Sequence, residues 1–374
     1  MPEDFEDTLE IGAIVSKRYR VLQKLGAGGC GSVYKVEDTE DKSAMYALKV
    51  EFNGADAIPV LKMEVQVLTQ MKDKKHVARC VASGKKQRYS YMVMTLLGDS
   101  LENVVKKHGP FLNVSTTARV GICLLFGIKQ LHDIGYIHRD LKPANVALGR
   151  KGTADERFLM VLDFGLARQY IADEQDGKKM RRPRDRANFR GTKRYCSIAM
   201  HERQEQGRVD DLWALVYILA ELRCRLAWHD VYEKEDIGRM KKQITDEELM
   251  AKSPMQMLQF INILRGTQFY HRPDYVALYK VLEDIMQMGA FKWSDPYHWE
   301  RDETKNPTGE SVEKTKKLAV FPAPSLKITK NKAKPPQLAA TPPSTTITPT
   351  SGTSNVNEIP YFTVADFKSN PIGL

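Results

Sequence analysis

The feature that most constrains this chain is residues 136–165, where two polar motifs occur in a fixed order. The first is His138-Arg-Asp-Leu-Lys-Pro-Ala-Asn145, and the second, Asp163-Phe-Gly165, begins eighteen residues after Asn145. A single His-x-Asp tripeptide carries little information, whereas a chance loop–strand–loop segment rarely produces an ordered pattern of this length. The polar side chains of this stretch are therefore candidates for one common site.

Four polar groups of this stretch suit the transfer of a phosphoryl group. Asp140 can orient an attacking hydroxyl or accept its proton, and Lys142 can neutralise charge on the migrating group. Asn145 and Asp163 offer hard oxygen ligands of the kind that Mg²⁺ prefers. These residue types therefore indicate phosphoryl transfer assisted by a magnesium ion.

A glycine-rich segment, Gly26-Ala-Gly-Gly-Cys-Gly-Ser-Val33, lies near the N-terminus. Dinucleotide-binding loops share its spacing, but such a loop opens a helix, whereas here the residues after Val33 continue as a second strand. The glycines are therefore expected at a hairpin tip, where backbone amides can approach and cover phosphates. Taken alone, the segment would also fit an ordinary glycine-rich hairpin.

Two further residues extend the pattern. Lys49 lies in the strand pattern Ala47-Leu-Lys49, and Glu64 lies in a helix predicted over 58–71, where it can point inward and pair with Lys49. Taken in order, the four motifs resemble those of protein kinases over roughly residues 19–300.

The resemblance implies an α+β, two-lobed fold with a β-rich N-lobe and an α-helical C-lobe. The implied domain limits are a lead-in at 1–18, an N-lobe at 19–94, a hinge at 95–97, a C-lobe at 98–300 and a tail at 301–374. The tail is lysine-rich and then rich in Ser, Thr and Pro, so disorder is expected there. Its end, 358–367, is richer in aromatic residues and could be a docking peptide or a pseudosubstrate-like segment.

The resemblance also assigns site residues, with ATP and Mg²⁺ as cofactors. Asp140 is expected to act as the catalytic base, together with Lys142, Asn145, Lys49 and Glu64, and the metal ligands would be Asn145 and Asp163. The expected nucleotide-binding residues are Leu25, Gly26, Ala27, Gly28, Gly29, Cys30, Gly31, Ser32, Val33, Ala47, Lys49, Met94, Thr95 and Leu97. Ala147 and Leu162 would complete the adenine pocket, although plain core packing explains an apolar residue equally well.

The class can be narrowed further. Lys142 is typical of serine/threonine kinases, and Ser197-Ile198 resembles the segment that replaces Ala-Pro-Glu in the casein kinase 1 superfamily. Leu162-Asp-Phe-Gly-Leu-Ala-Arg-Gln-Tyr170 and Asp210-Asp-Leu-Trp213 are most similar to the tau–tubulin kinase branch. Ala199 departs from the family because it stands where an asparagine is usual.

Between Leu166 and Gly191 the only hydroxyl belongs to Tyr170, so the usual loop-phosphorylation switch has no Ser/Thr acceptor. We therefore expect activity without activation-loop phosphorylation. The segment is also rich in arginine, whose planar fork suits phosphate and carboxylate groups. Expected substrate-binding residues are Arg182, Arg184, Arg190, Thr192 and Lys193. A solvated basic loop is the alternative.

Composition limits the partners and the compartment. The formal net charge is +10, the five cysteines form no C-x-x-C pair, and the N-terminus is acidic, unlike a targeting peptide. No uncharged apolar run approaches membrane-spanning length. We expect a cytoplasmic protein, with the nucleus as an additional site.

Its partners would be protein substrates, either acidic, already phosphorylated, or tubulin and microtubule-associated proteins. A scaffold that binds ATP without catalysis is the main alternative, and nucleic-acid binding lacks a recognisable motif.

Overall fold

The computed structural model describes residues 8–28, 31–53, 60–174, 177–300 and 361–374. Within these residues a strand-rich lobe is followed by a larger helical lobe, so the predicted α+β, two-lobed fold is confirmed. Among the described helices, none has the length and apolar character needed to cross a membrane.

The smaller lobe is one six-stranded sheet in which all neighbouring strands are antiparallel, in the order β1-β2-β3-β4-β6-β5. Alternating side chains of β3 are buried, as a sheet with one covered face requires. Helix α1 packs between this sheet and the helical lobe. The elements are β1 (Ile14–Val15), β2 (Tyr19–Gly28), β3 (Gly31–Asp38), β4 (Met45–Phe52), α1 (Leu61–Gln70), β5 (Cys80–Lys85) and β6 (Tyr89–Thr95).

The glycine-rich segment lies at the turn between β2 and β3. Gly28 pairs with Gly31 in the antiparallel register, so the predicted hairpin is confirmed and the alternative of a helix opening after the glycines is excluded. Gly31 has a φ of +106°, and a Cβ there would lie 2.1 Å from the Val50 carbonyl oxygen. Only glycine therefore fits that position. Gly29 and Cys30 lie outside the described residues.

The helical lobe is organised around α3 and α5. Asn113 caps α3 by accepting a hydrogen bond of 2.8 Å from the Thr116 amide. Both helices are buried on most faces, so the core of the lobe surrounds them. The helices are α2 (Leu101–His108), α3 (Val114–Asp133), α4 (Ile198–His201), α5 (Arg208–Glu221), α6 (Lys234–Gln243), α7 (Asp246–Leu249), α8 (Gln256–Arg265) and α9 (Tyr275–Met288).

Three short antiparallel strand pairs carry the loops between α3 and α4. β7 pairs with β10, β8 with β9, and β11 with β12. Because β7 and β8 flank residues 138–145 and β9 ends just before Asp163, these pairs bring the two central motifs together. The strands are β7 (Tyr136–Ile137), β8 (Val146–Leu148), β9 (Leu159–Val161), β10 (Arg168–Gln169), β11 (Ile171–Glu174) and β12 (Gly177–Met180).

Two expected boundaries differ from the structure. The sheet begins at Ile14, because β1 pairs with β2, so part of the predicted lead-in belongs to the smaller lobe. The expected disorder of the tail does not extend to 361–374, which contains a helix, α10 (Val364–Lys368), packed on the helical lobe. The rest of the tail, 301–360, lies outside the described residues. The order of this end is explained by Phe362 and Phe367, two of its aromatic residues, which are buried against the helical lobe.

Candidate active site

A buried lysine joins the two lobes. Lys49 lies in the middle of β4, and its Nζ is 2.6 Å from Glu64 Oε2 and 3.0 Å from Asp163 Oδ1. Glu64 is 2% exposed because it faces inward from α1 between Leu61 and Leu68. The structure thus forms the predicted Lys49–Glu64 contact and adds Asp163 to it.

The charges at this junction reinforce one another. Burial would lower the pKa of the Lys49 ammonium, but the charges of Glu64 and Asp163 outweigh it and hold that pKa above its ordinary value. Burial likewise opposes ionisation of Asp163, yet the Lys49 ammonium keeps the pKa of Asp163 below its ordinary value. Lys49 and Asp163 are therefore both charged at neutral pH, ready to face a polyphosphate and a cation.

Asp140 is at the centre of the second polar cluster. It is 8% exposed, and its two carboxylate oxygens accept hydrogen bonds from different side chains. Thr192 Oγ1 donates to Oδ1 over 2.7 Å, and Lys142 Nζ donates to Oδ2 over 2.9 Å. Asn145 Nδ2 donates to the main-chain oxygen of Asp140 over 2.9 Å. The four residues, which the sequence separates by up to 52 positions, form one contiguous group.

The backbone of residues 138–145, here called the catalytic loop, is held in place by α5. Asp211 accepts hydrogen bonds from the amides of His138 (2.7 Å) and Arg139 (2.9 Å). Arg139 has a φ of +69°, a conformation that non-glycine residues adopt only under such constraint. His132 supports Asp211 in turn, with Nε2 2.9 Å from Asp211 Oδ2. Sequence analysis missed His132 because a lone helical histidine carries no signal.

The residues proposed as metal ligands fit a divalent cation held jointly with a nucleotide. The side-chain nitrogen of Asn145 donates a hydrogen bond to Asp140, so the side-chain oxygen of Asn145 is left to coordinate a cation. Lys49 contacts Oδ1 of Asp163, which leaves Oδ2 for the same purpose. Asp163 has a φ of +61° and its side chain is 29% exposed, so it remains accessible. Among the described residues, no three or more His, Cys, Asp or Glu side chains cluster as a metal site. Two hard oxygen ligands suit a cation completed by phosphate oxygens.

The expected nucleotide pocket lies between β2–β4 and the start of the helical lobe. Ala47 pairs with Met94 across β4 and β6, and both are buried, as is Ala147. Val33 and Leu162 are half-buried, while Leu25 is exposed at the end of β2. The remaining described residues of the predicted set are Gly26, Ala27, Gly28, Gly31 and Ser32 on the hairpin, Thr95 at the end of β6, and Leu97 just after β6.

The activation segment, residues 166–199, passes close to the catalytic loop. A Cβ on Gly191, whose φ is +92°, would lie 2.3 Å from the Arg139 carbonyl oxygen, so only glycine permits this approach. The approach places Thr192 against Asp140. Of the expected substrate-binding residues, Arg182 and Arg190 are exposed, and Lys193 donates a hydrogen bond to the main-chain oxygen of Tyr232.

Arg184 has an internal partner that sequence analysis did not predict. Arg184 Nη2 donates to Glu205 Oε1 over 3.0 Å, and Arg168 Nε lies 3.5 Å from the same oxygen. Glu205 is 9% exposed, and although burial opposes its ionisation, Arg184 and Arg168 hold its pKa below the ordinary value. Burial lowers the pKa of Arg139 to about 10, an effect that Arg168 increases and Glu205 opposes. A carboxylate therefore occupies the centre of this basic cluster.

Ala199, the departure from the expected pattern, lies in α4. Its main-chain oxygen accepts a hydrogen bond of 2.9 Å from the Gln204 amide, and Ser197 caps the helix through the Met200 amide. Lys241 on α6, which sequence analysis did not single out, donates to the main-chain oxygens of Lys193 (3.0 Å) and Cys196 (2.6 Å). These contacts fix the loop after Thr192 without a hydrogen-bonding side chain at position 199.

Comparison with known proteins agrees with this geometry. A model of the protein kinase domain matches residues 19–264, so the chain belongs to the protein kinase family. A Caenorhabditis elegans protein named “Putative serine/threonine-protein kinase” is 63% identical over the full length of both chains. An “Inactive tau-tubulin kinase” of C. elegans is 34% identical over 61% of this chain and 81% of its own length. A “Casein kinase I homolog” of Kluyveromyces lactis is 30% identical over 78% of this chain and 55% of its own.

Within that family, the relatives identify a serine/threonine kinase of the casein kinase 1 superfamily, similar to the tau–tubulin kinase branch. The family uses ATP and a divalent metal ion. The resemblance inferred from the motifs is thereby confirmed.

Proposed function

We propose that this chain is an active, casein kinase 1-like serine/threonine kinase that transfers the γ-phosphate of ATP to protein hydroxyls. The observation that carries the proposal is the assembled state of both polar clusters. Lys49 already contacts Glu64 and Asp163, and Asp140 already contacts Lys142 and Thr192. In a kinase the lysine–glutamate pair must be in place before transfer.

The proposed mechanism assigns one task to each group. The ammonium of Lys49, directed by Glu64, binds the α- and β-phosphates, while the β2–β3 hairpin covers them and excludes water. Asn145 and Asp163 would hold Mg²⁺, which neutralises phosphate charge. Asp140 orients the substrate hydroxyl and accepts its proton, and Lys142 stabilises charge on the transferring group.

We propose further that activity does not require phosphorylation of the activation segment. In phosphorylation-activated kinases a phosphate pairs with the arginine that precedes the catalytic aspartate, here Arg139. Arg168 and Arg184 contact the carboxylate of Glu205, whose charge also acts on Arg139, so Glu205 supplies negative charge near the arginine with which such a phosphate would pair.

Two variants test this role of Glu205. Glu205→Gln should lower kcat by about tenfold, as expected when a supporting contact of a site is lost, whereas Glu202→Gln, in the exposed position three residues earlier, should not. The unmodified chain, made in bacteria and treated with phosphatase, should keep its turnover. An enzyme that is inactive until an upstream kinase acts on it would contradict the proposal.

The second candidate function is an ATP-binding scaffold without catalysis. One specific observation favours it, namely that a relative of 34% identity is named inactive. Transfer of radiolabelled phosphate from ATP separates the two functions, with Asp140→Asn as the control and phosphoamino-acid analysis as the readout. Transfer to serine or threonine that disappears in Asp140→Asn supports the enzyme; tight ATP binding without any transfer supports the scaffold.

We propose acidic or already phosphorylated proteins as substrates, with tubulin and microtubule-associated proteins among them and the cytoplasm as the compartment. Support comes from the exposed side chains of Arg182 and Arg190, which lie in the same chain segment as Thr192. Arg182→Glu with Arg190→Glu should raise KM for a phosphoprimed peptide and leave KM for ATP unchanged. Arg184 is left intact because its reversal would disrupt Glu205.

A further inference from the structure

The end of the chain occupies a groove on the helical lobe. Phe362 and Phe367 are 2% and 0% exposed, although they lie in a segment of only fourteen described residues. The Phe367 ring stacks on Tyr279 of α9, with centroids 4.3 Å apart and planes 13° apart. The Phe362 ring lies 5.0 Å from Phe126 of α3 and 5.3 Å from Trp293. These are the distances of packed aromatic pairs.

Polar contacts fix the direction of the segment in this groove. Lys129 Nζ donates to Ser369 Oγ over 2.7 Å, and Arg272 Nη2 donates to the Ser369 main-chain oxygen over 2.7 Å. Tyr279 Oη donates to the main-chain oxygen of Phe362 over 3.0 Å. Lys129 is 1% exposed and also pairs with Asp133 of α3, so the segment contacts a buried ion pair of that helix.

Beyond Ser369 the segment reaches the base of the catalytic machinery. Ile372 and Leu374 pack against Ile137, Tyr170 and Ile171. Ile137 immediately precedes the catalytic loop, and Tyr170 and Ile171 follow shortly after Asp163-Phe-Gly165. The segment therefore contacts the two chain portions that carry Asp140 and Asp163.

Arg208 strengthens the same junction. Its guanidinium is 2% exposed, lies 4.8 Å from the centre of the Tyr170 ring, and donates to the Leu374 main-chain oxygen over 2.9 Å. Arg208 begins α5, three residues before Asp211, which holds the amides of the catalytic loop. The end of the chain is thus connected to that support through one short stretch of helix.

We propose that residues 361–374 act as an intramolecular buttress that holds the catalytic loop in position and is required for full turnover. This role differs from that of a pseudosubstrate, because the described contacts of the segment lie on α3, α5, α9, β7, β11 and loop residues such as Trp293 and Arg272 rather than on Asp140 or Thr192. The part that concerns turnover rests on the proposed kinase function, whereas docking and loop ordering do not.

The first test uses the full chain with a specific protease site introduced within 301–360, which lies outside all contacts described above. After cleavage and removal of the fragment, kcat should fall at least about fivefold, while KM for ATP should stay within about twofold because the nucleotide strands are not contacted. A synthetic peptide of residues 361–374 should restore kcat. The same peptide with both phenylalanines replaced by alanine should not. A rise in kcat after removal would overturn the proposal and indicate an inhibitory segment.

Variants of the full chain provide a second test. Phe362→Ala with Phe367→Ala should lower Tm by about 5 °C or more and lower kcat, whereas Val364→Ala, exposed in the same helix, should change neither. Leu374→Ala should lower kcat with a smaller loss of Tm, because it touches the base of the catalytic loop rather than the main aromatic groove. Equal kcat in all variants would contradict a positioning role.

A readout without activity keeps the docking claim separate from the proposed function. Hydrogen exchange of the amides in 137–141 should be faster in the cleaved, fragment-free chain, and should return to the rate of the uncut chain when the peptide is added. If the uncut chain transfers no phosphate but this protection is seen, the proposed function fails and the buttress stands. Unchanged exchange would overturn the buttress whatever the activity.

Discussion

Two lysines are buried to a similar degree in this molecule, but their neighbours shift the lysine pKa in opposite directions. Lys49 is 7% exposed and lies between the carboxylates of Glu64 and Asp163. Lys241 is 4% exposed, and its described contacts include no carboxylate; its Nζ donates to main-chain oxygens of Lys193 and Cys196. The pKa of Lys49 is raised, whereas burial lowers the pKa of Lys241 to about 7.

The difference shows what each site needs from the same side chain. Neighbouring negative charges offset the cost of burying an ammonium, while carbonyl dipoles and aromatic faces offset only part of it. Lys241 has such partial compensation, with Nζ 4.5 Å from the centre of the Tyr217 ring and 5.3 Å from that of Trp228. A group that must bind phosphates has to remain charged, whereas a group that anchors a loop needs only directed N–H donors.

Removal of Lys49 is expected to produce the largest effect. Lys49→Met should lower kcat/KM for ATP by about a thousandfold, the scale found when a preorganised charge of the transition state is lost. The fold should persist, because burial already raises the pKa of Glu64, which can take up a proton once the ammonium is gone.

Steady-state kinetics and circular dichroism check this prediction together. Lys85→Met, which replaces an exposed lysine at the end of β5 in the same sheet, is the matched control and should leave both unchanged. Retention of full activity in Lys49→Met would show that the proposed mechanism does not use Lys49. It would also show that the charge of Lys49, although balanced by two carboxylates, is not needed for catalysis.

The two lysines also show what the sequence could and could not predict. Lys49 was predicted because a strand motif and a helix with one inward glutamate occur in a fixed order. Lys241 reads as an ordinary basic residue of a last helical turn, beside the exposed Lys242, and only tertiary packing distinguishes the two.

The same limit applies to Glu205 and to the end of the tail. Glu205 follows a polar loop, and its two arginine partners lie 21 and 37 residues away along the sequence. Phe362 and Phe367 occur in a segment whose aromatic content makes it a candidate docking peptide, but the sequence does not show where it docks, because the core that they join belongs to α3 and α9. Local motifs therefore predict the chemistry, while its supporting contacts depend on the folded surface.

Neutralising the partner of Lys49 should make its surroundings resemble those of Lys241. Glu64→Gln leaves Asp163 as the only described carboxylate at the ammonium, so the pKa of Lys49 should fall. We expect kcat to drop between about tenfold and a hundredfold, with the alkaline limb of the pH–rate profile moving towards neutral pH. A profile that loses height without shifting would contradict the electrostatic explanation and leave only a steric role for Glu64.

The two lysines should also differ in how they link stability to pH. For Lys241 the folded pKa of about 7 lies below the unfolded value of 10.5, so the unfolded state binds more protons between these values and stability rises with pH. From pH 7 to pH 9 this contributes about 2 kcal/mol to the free energy of unfolding. Lys49 contributes no such slope, because its folded pKa is raised and its stabilisation is lost only at more alkaline pH.

Denaturant unfolding at pH 7, 8 and 9 measures this slope. The stability of the unmodified chain should increase relative to that of Lys241→Met over that range. Lys242→Met, which replaces an exposed lysine that pairs with Glu202, should show the same pH dependence of stability as the unmodified chain. Parallel pH dependences of the unmodified chain and Lys241→Met would show that Lys241 keeps its charge, and that the contrast between the two lysines does not exist.

The smallest effect should come from the anchoring role of Lys241. Lys241→Met removes the donors that hold the main-chain oxygens of Lys193 and Cys196, and this loop follows Thr192, which contacts Asp140. KM for a peptide substrate should rise about fivefold, the factor that corresponds to a typical net hydrogen bond of about 1 kcal/mol, while KM for ATP stays unchanged. Because the hydrogen bonds need only N–H groups, the peptide KM of the unmodified chain should stay the same on both sides of pH 7. A KM that follows the protonation of Lys241 would instead give this lysine a charge-dependent role like that of Lys49.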